Sequence, residues 1–234
     1  MTIVLLDLDG TLLRHPSSEA RFIGYLRRHR RLGAVQTAAA VWFMARWSAR
    51  FGRHVARANK AYLYRLRVNE INELARQFVD EVLLLHLRRA VLAQMHLHRV
   101  AGHRLALLTG APEFIAAPLA QRLGMDAWCA TICARRRDRF SARPPLRQPL
   151  GPSKVEHGGA LCLELGGHLH DCIAYADSIH DLPLLRAVRT PIAVHPDRRL
   201  TAVARRAGWT ILTDGDESAM TRPAWQYPLG GHAD

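Results

Sequence analysis

The chain begins with an apolar run that leads directly into two aspartates, and residues 3–11 read IVLLDLDGT. An apolar run this short, closed by a glycine, predicts a buried strand of a parallel sheet. Because residues two apart on a strand share a face, Asp7 and Asp9 are expected to face one crevice at the carboxyl end of that strand. Two like charges there repel unless a cation neutralises them, and carboxylate oxygens suit Mg²⁺. The pattern therefore predicts a magnesium site, with a simple Asp-Gly turn as the alternative interpretation.

The composition is that of a globular protein. The chain has 234 residues, 49% of them hydrophobic, which is enough for one large domain or for a core with an insertion. Its start has no basic segment before the apolar run, so we predict no signal peptide. The cysteines show no C-x-x-C spacing and are expected to be reduced core residues of a cytoplasmic protein. They are Cys129, Cys133, Cys162 and Cys172.

Positive charge is concentrated in one segment. Residues 14–67 contain thirteen arginines or lysines and a single acid, Glu19, and so account for most of the formal net charge of +13. A basic surface suits phosphates, nucleic acid or anionic lipid as partners. The alternative is that these arginines only solvate the outer faces of helices.

Alternation of strands and helices predicts the fold class. From Leu105 onward, strand-like runs alternate with helical patterns, which is typical of a parallel α/β sheet. The first strand belongs to the same sheet, so the helical region between them is an insertion that can act as a lid. We therefore expect a Rossmann-like α/β core with an inserted helical cap. The predicted division is a core of residues 1–13 and 96–213, a cap of 14–95 and a loose tail of 214–234.

Four local signals predict where helices begin. Asn69 is a candidate cap for a helix with one apolar stripe, and Pro112 is expected to open another helix. Residues 153–156 read SKVE, which matches a capping box. Asp197 is expected to cap the last helix.

One stretch within the insertion is free of charge. Residues 32–45 carry no charged side chain and include Trp42 and Phe43. At this length the stretch falls short of the ~20 residues needed to span a bilayer. It is expected to be either a buried helix or an interfacial helix flanked by arginines, which would place the protein peripherally at the inner face of a membrane.

Further polar groups follow the later strands. Thr109 ends one strand, Lys154 lies at a helix start, and Asp177 and Asp181 follow another strand. Together with the first two aspartates, they form the kind of set that phosphoryl transfer needs: a carboxylate nucleophile, an acid/base, a cation and a metal site. Lys154 is one of two lysines in a chain with 31 arginines, which indicates a need for a compact positive charge there.

These motifs resemble those of the haloacid dehalogenase superfamily, and specifically its phosphoserine-phosphatase-like branch with a helical cap after the first strand. The resemblance covers residues 1 to about 213, and the four motifs occur in the family's order. They are DLDGT at 7–11, LLTGAPEF at 107–114, GPSKV at 151–155 and ADSIHDLPLL at 176–185.

The resemblance implies a role for each matching residue. Asp7 would be the nucleophile and Asp9 the general acid/base. Mg²⁺ would be held by the carboxylates of Asp7 and Asp177 and by the backbone carbonyl of Asp9. The remaining implied residues bind the phosphoryl group or support the charged centre. They are Thr109 and the Gly110 amide for the phosphoryl group, Lys154 for charge on the nucleophile and phosphate, and Asp181 for orienting Lys154 or a metal-bound water.

Three positions depart from the family's pattern. Ala176 replaces a glycine, a small change at a strand end, and His180 stands where a polar residue such as asparagine is common. His180 is expected either to contact substrate or to fill space. Pro16 occupies the approximate place of an acid that reads the substrate ammonium in phosphoserine phosphatases. This departure argues against serine phosphate. The basic cap points instead to a substrate with additional negative charge or a lipid tail.

The leading prediction is a Mg²⁺-dependent phosphatase that hydrolyses a phosphorylated small molecule through an aspartyl-phosphate on Asp7. One alternative is a lipid phosphatase, similar to phosphatidylglycerophosphate phosphatases, acting at an anionic membrane surface. Another is a non-catalytic protein that binds RNA or anions through its arginine-rich cap. Because every catalytic residue type is present, nucleic acid is not expected as the partner.

Overall fold

The computed structural model describes residues 2–215, except for the side chain of Arg53. The strands are, in chain order, β1 (Ile3–Leu6), β2 (Arg104–Pro112), β3 (Ala127–Thr131), β4 (Arg135–Arg136), β5 (Arg139–Phe140), β6 (Ile173–Ala176), β7 (Thr190–Val194) and β8 (Thr210–Leu212). Within the described chain, six of them form one parallel sheet in the order β3-β2-β1-β6-β7-β8, and β4 pairs with β5 as a separate antiparallel ribbon. The predicted Rossmann-like α/β class is confirmed.

The helices lie between and around these strands. They are α1 (Ser18–Arg28), α2 (Ala34–Phe51), α3 (Val55–Ala58), α4 (Val68–Phe78), α5 (Arg89–Val100), α6 (Glu113–Arg122), α7 (Ser153–Glu164), α8 (Leu182–Ala187) and α9 (Arg198–Arg206). A π-helical turn, Val79–Leu83, continues α4. The first five helices are all inserted between β1 and β2, which are neighbours in the sheet.

The sheet is buried on both faces, which explains the uninterrupted apolar run of β1. Because strand side chains alternate, Ile3 and Leu5 point to one face and Val4 and Leu6 to the other. The first pair packs in the cluster formed with α7, α8 and α9, whereas the second pair packs in the cluster formed with α1, α4 and α6. A central parallel strand of this kind has no polar face.

The inserted helices share one apolar core with the sheet. Phe22 of α1 contacts Phe78 of α4 and Phe114 of α6, with ring centroids 5.2 Å and 5.3 Å apart. All three rings belong to the same cluster as Val4 and Leu6 of β1. The insertion is therefore packed onto the sheet through α1 and α4.

Helix α2 is the exception among the inserted helices, because most of its apolar side chains face outward. Phe43 is its fully buried residue and packs on Val55 and Ala58 of α3. Trp42 is 54% exposed and Val41 64% exposed. Of the two alternatives for residues 32–45, the buried helix is borne out for Phe43 but not for Val41 or Trp42. No helix in residues 2–215 is long and apolar enough to cross a membrane.

The predicted helix starts have mixed outcomes. Asp197 caps α9 as predicted, since its carboxylate accepts hydrogen bonds from the amides of Arg199 and Leu200. Helix α6 begins directly after Pro112. The prediction for Asn69 is wrong: α4 begins at Val68, so Asn69 lies inside the helix. Packing of the apolar stripe, rather than a side-chain cap, therefore sets this start.

The tail predicted for residues 214–234 lies mostly outside the described residues. Asp214 itself is held by several groups of the core. It accepts a hydrogen bond from Arg88 at 2.6 Å and lies 3.3 Å from both Arg14 and His195. Arg88 also donates to the carbonyl of Gly10 at 3.1 Å, so Asp214 is linked to the turn that follows β1.

A buried histidine links α5 to the sheet. His98 is fully buried, with Nε2 2.8 Å from the hydroxyl of Tyr175 and Nδ1 2.8 Å from Nδ1 of His103. Burial, with a smaller contribution from His103, lowers the pKa of His98 to about 3. The folded protein therefore holds this imidazole neutral across the physiological range.

This histidine is expected to make the fold sensitive to acid. Between the ordinary histidine pKa of 6.5 and the folded value of about 3, the unfolded state binds more protons, so the free energy of unfolding falls as the pH falls. The loss should be on the order of a few kcal/mol. His98→Gln should flatten this part of the stability curve, measured by urea denaturation at several pH values. His170→Gln, at an exposed histidine, should leave the slope unchanged, and an equal slope in the His98 variant would contradict the assignment.

Candidate active site

A cleft of about 290 Å³ opens at the carboxyl ends of β1, β2 and β6. In a parallel sheet these ends lie at one edge, which is where ligands bind in open α/β folds. The cleft brings together all of the predicted site residues, from four separate segments of the chain. They are Asp7, Asp9, Thr109, Gly110, Lys154, Asp177, His180 and Asp181.

Three carboxylates form the floor of the cleft. Asp7, Asp177 and Asp181 each offer an oxygen, and these oxygens lie within 4.8 Å of one another. Burial, together with the charges of the other two, raises the pKa of Asp7 to about 8 despite the nearby Lys154. Burial and Asp181 raise the pKa of Asp177 to about 6. The negative charges of the three carboxylates repel one another. A hard divalent cation such as Mg²⁺ fits this site, because it would neutralise that repulsion.

Gly10 allows this cluster to form. Its φ of +90° is a conformation that side chains disfavour, and a Cβ at this position would overlap the carboxylate of Asp177. The turn after β1 can therefore approach β6 closely only with glycine. Asp181, which the motif analysis expected to support Lys154, here lies within the carboxylate cluster itself.

Lys154 is the cation of the floor. Its Nζ lies 2.9 Å from Asp7 Oδ1 and 2.8 Å from Asp181 Oδ2, and the side chain is almost wholly buried. Burial disfavours the ammonium, but Asp181 and Asp7 outweigh that effect and raise the pKa of Lys154 above its ordinary value. The lysine is therefore charged and fixed beside the Asp7 oxygen.

The capping box predicted for residues 153–156 is wrong. Ser153 is already the first residue of α7, and Pro152 precedes it without a side-chain cap. The hydroxyl of Ser153 instead accepts from the amide of Leu150 at 3.0 Å and lies 3.0 Å from the carbonyl of Gln148. Ser153 thus holds the loop before α7 and thereby fixes the first turn, where Lys154 lies.

Asp9 occupies a different environment from the cluster. Its carboxylate accepts a hydrogen bond from the amide of Ser18, at the start of α1, at 2.6 Å. Burial raises the pKa of Asp9 above its ordinary value, although the bond from Ser18 opposes this effect. The two aspartates that follow β1 therefore differ: one lies beside a lysine, and the other is held at a helix start with a raised proton affinity.

The end of β2 supplies the neutral groups. Thr109 is buried, and its hydroxyl accepts from the amide of Ala111 at 3.0 Å. The carbonyl of Gly110 accepts from the Thr131 hydroxyl at 2.7 Å. A Cβ at Gly110 would lie 2.9 Å from the side chain of Leu150, so a larger residue would press on the loop before α7.

A sequence model of the haloacid dehalogenase-like hydrolases matches residues 4–186, which is most of the chain. The chain belongs to this family. The match extends from β1 into α8 and includes every predicted site residue. The family resemblance drawn from the four motifs is therefore confirmed.

Three comparisons describe what this hydrolase is similar to. It is 29% identical to the phosphoserine phosphatase SerB1 of Mycobacterium tuberculosis over 212 residues, which is 88% of this chain and 68% of that protein. It is 26% identical to the histidinol-phosphatase of Neisseria meningitidis, over 90% of this chain and 97% of that protein. The crystal structure of a Bordetella pertussis protein of unknown function matches with a TM-score of 0.74 and 28% identity, over 91% of this chain and 99% of that one.

The hydrolase also places residues in the cleft that motif analysis missed. His15, Ser17, Arg57, Lys60 and Gln148 line it, together with Glu19. Most come from the inserted helices and their connections, which lie outside the four sequence motifs. The rarity of lysine was the one available signal, because Lys60 is the second of the two lysines in the chain. His180 also lines the cleft, and its ring centroid lies 6.1 Å from that of His54.

Proposed function

We propose that this hydrolase is a phosphatase that cleaves phosphate monoesters of small molecules through an aspartyl-phosphate on Asp7. The observation that carries the proposal is the contact between Asp7 and Lys154, 2.9 Å apart, within a cluster of three carboxylates at the sheet edge. A buried carboxylate with a lysine on one oxygen and a cation site beside it has the charge balance that attack on a phosphate dianion requires. The phosphatase names of two relatives support the same reaction.

Five residues of the cleft have proposed roles in the reaction. Asp7 attacks phosphorus, and the bond from phosphorus to the alcohol oxygen breaks. Asp9 gives that oxygen its proton, which suits a carboxyl whose pKa is raised by burial. Asp9 then removes a proton from the water that hydrolyses the aspartyl-phosphate, so both half-reactions use the same acid/base. Thr109 and the Gly110 amide hold the phosphoryl oxygens, and Lys154 offsets their charge.

Mg²⁺ is the proposed cofactor. The carboxylates of Asp7 and Asp177, with the backbone carbonyl of Asp9, would hold the ion, and Asp181 would orient Lys154 or a water on the ion. When bound, the ion would neutralise charge on the phosphoryl group. The mutual proximity of the carboxylates and their raised pKa values support this assignment.

We propose that the insertion acts as a cap on this site. In this division, residues 1–13 and 96–213 form the catalytic core and residues 14–95 form the cap. The lining residues Glu19, Arg57 and Lys60 support it, because they extend from the insertion into the cleft. The cap would then supply the contacts to the leaving group, and the core would supply the chemistry.

Turnover of p-nitrophenyl phosphate tests the proposal directly. The purified protein is expected to release p-nitrophenol with Mg²⁺, to lose this activity in EDTA and to regain it when Mg²⁺ is restored. A panel of phosphorylated metabolites then identifies the class of leaving group. A folded protein that hydrolyses none of these esters in the presence of Mg²⁺ would contradict the proposed function.

A phosphorylated lipid is the second candidate substrate, and the exposed face of α2 favours it. Val35, Val41 and Trp42 are each more than half exposed, and Arg46 and Arg50 lie within the same helix. An aromatic and apolar face bordered by arginines fits the headgroup region of an anionic membrane. In this alternative the same catalytic floor acts on a lipid headgroup phosphate.

Flotation with liposomes separates the two candidates. If α2 lies at a membrane, the protein is expected to float with phosphatidylglycerol vesicles at low salt and to be released at high salt, since each arginine near the surface contributes about 1 kcal/mol. Val41→Ser/Trp42→Ser should weaken flotation at least about tenfold. Leu163→Ser, at an equally exposed leucine on α7, is the matched control and should float normally. Absence of flotation at low salt would contradict the lipid substrate and leave a soluble phosphate ester as the candidate.

A further inference from the structure

Glu19 is the acid on the wall of the cleft, the part of its lining that the inserted helices and their connections supply. It lies in the first turn of α1 and lines the cleft beside Arg57 and Lys60. A carboxylate in this position is a natural receptor for an ammonium group on a substrate, because charge-assisted hydrogen bonds are strong where water is excluded. Whether Glu19 can act in this way depends on what its two oxygens already bind.

Both oxygens of Glu19 have partners from the same chain. Lys60 Nζ lies 2.5 Å from Oε2, and the hydroxyl of Tyr62 donates to Oε1 at 2.8 Å. Only 3% of Lys60 is exposed, and the side chain of Glu19 is 21% exposed, so salt screens this ion pair less than a surface pair. Burial and the charge of Glu19 hold the pKa of Tyr62 well above its ordinary value, so Tyr62 stays a proton donor.

The wall has no free negative charge to offer. Lys60 and Glu19 together are neutral, and the guanidinium of Arg57 has no ion-pair or hydrogen-bond partner among the described residues. The remaining charge on the wall, that of Arg57, is therefore positive. An ammonium on the substrate would have to displace Lys60 from Glu19 and would also face Arg57.

We infer that Lys60 is a specificity-determining residue: by neutralising Glu19 it directs the cleft to phosphate monoesters whose leaving group carries no ammonium. This inference rests on the proposed phosphatase function. Lysine suits the role because its compact ammonium is the same group that a substrate amine would present, so Lys60 occupies the place that such an amine would take. Neutral and anionic leaving groups meet no such competitor.

Two esters of matched size test the inference. Propyl phosphate and 2-aminoethyl phosphate differ in carrying a methyl or an ammonium group at the end of the leaving group. Wild-type protein with Mg²⁺ is expected to show a kcat/KM at least about tenfold higher for propyl phosphate, the scale of one hydrogen bond to a charged group. The ratio of the two kcat/KM values is the readout, because changes in overall activity cancel within each variant.

Substitutions in the pair should move this ratio in opposite directions. Lys60→Met frees the carboxylate and should shift the ratio about tenfold toward 2-aminoethyl phosphate. Glu19→Gln leaves Lys60 charged and should shift it about tenfold the other way. Glu19→Gln/Lys60→Met removes both charges and should return the ratio to within about threefold of wild type. Lys60→Met leaves a buried carboxylate without its ion-pair partner and can therefore prevent folding. In that case the shift in Glu19→Gln alone decides the test.

The outcomes separate this inference from the function on which it rests. A wild-type preference for 2-aminoethyl phosphate, or a ratio that stays constant in both single variants, would overturn the role of Lys60 while turnover of p-nitrophenyl phosphate upholds the phosphatase. A protein that hydrolyses no phosphate ester overturns the proposed function and the inference with it. Opposite shifts in the two single variants would establish the role of Lys60.

Discussion

Replacing Asp7 with asparagine is expected to abolish phosphatase turnover while leaving the protein folded. An amide cannot act as the nucleophile, so the rate should fall about 10⁶-fold, the scale at which enzymes lose a nucleophile. Lys154 keeps its contact with Asp181 at 2.8 Å, and the repulsion within the carboxylate cluster is reduced. The thermal unfolding midpoint without metal should therefore stay the same or rise.

The measurement is p-nitrophenyl phosphate turnover with Mg²⁺, beside thermal unfolding of the same preparation. Asp171→Asn is the matched control, because Asp171 forms an ion pair with Arg189 at the surface. This variant is expected to hydrolyse p-nitrophenyl phosphate at the wild-type rate. Activity of Asp7→Asn within tenfold of wild type would remove Asp7 from the role of nucleophile.

Asp9→Asn is expected to slow the reaction by ~10²–10⁴-fold, the usual contribution of a general acid/base. The amide oxygen can still accept the hydrogen bond that Ser18 donates at 2.6 Å, so the side chain should keep its position and lose only its proton transfer. Both steps should be impaired, which single-turnover kinetics can show as slow formation and slow decay of the phosphorylated enzyme.

Binding of Mg²⁺ distinguishes this role from a structural one. Because Asp9 is proposed to bind the ion through its backbone carbonyl, the Asp9→Asn variant should bind Mg²⁺ with near wild-type affinity in a calorimetric titration. A collapse of that affinity would instead make the Asp9 carboxylate a metal ligand.

The position of the cleft was predictable because it lies at the ends of strands. A short apolar run marks a buried parallel strand, and the carboxyl ends of parallel strands meet at one edge. Asp7, Thr109 and Asp177 each directly follow or end such a run, so their convergence in one cleft follows from the fold class. The N-cap role of Asp197 was equally local and is confirmed.

The cap side of the cleft was not predictable in this way. Glu19 and Lys60 are 41 residues apart, and nothing in their local sequence indicates that they form an ion pair. Arg88 and Asp214 are 126 residues apart and meet through the same long-range packing. The errors at Asn69 and Ser153 have a related cause: both residues have good capping chemistry, but tertiary packing placed the helix starts elsewhere.

The aromatic contacts among Phe22, Phe78 and Phe114 limit how modular the insertion is. Because these rings belong to the same core as β1, residues 14–95 cut from the chain would expose an apolar face, and the sheet without them would expose its complement. The insertion is therefore not expected to fold as an autonomous unit. If the insertion were exchanged between related enzymes, the residues of α6 that face it would have to be exchanged with it. Single substitutions on the cleft wall, by contrast, leave these aromatic contacts in place.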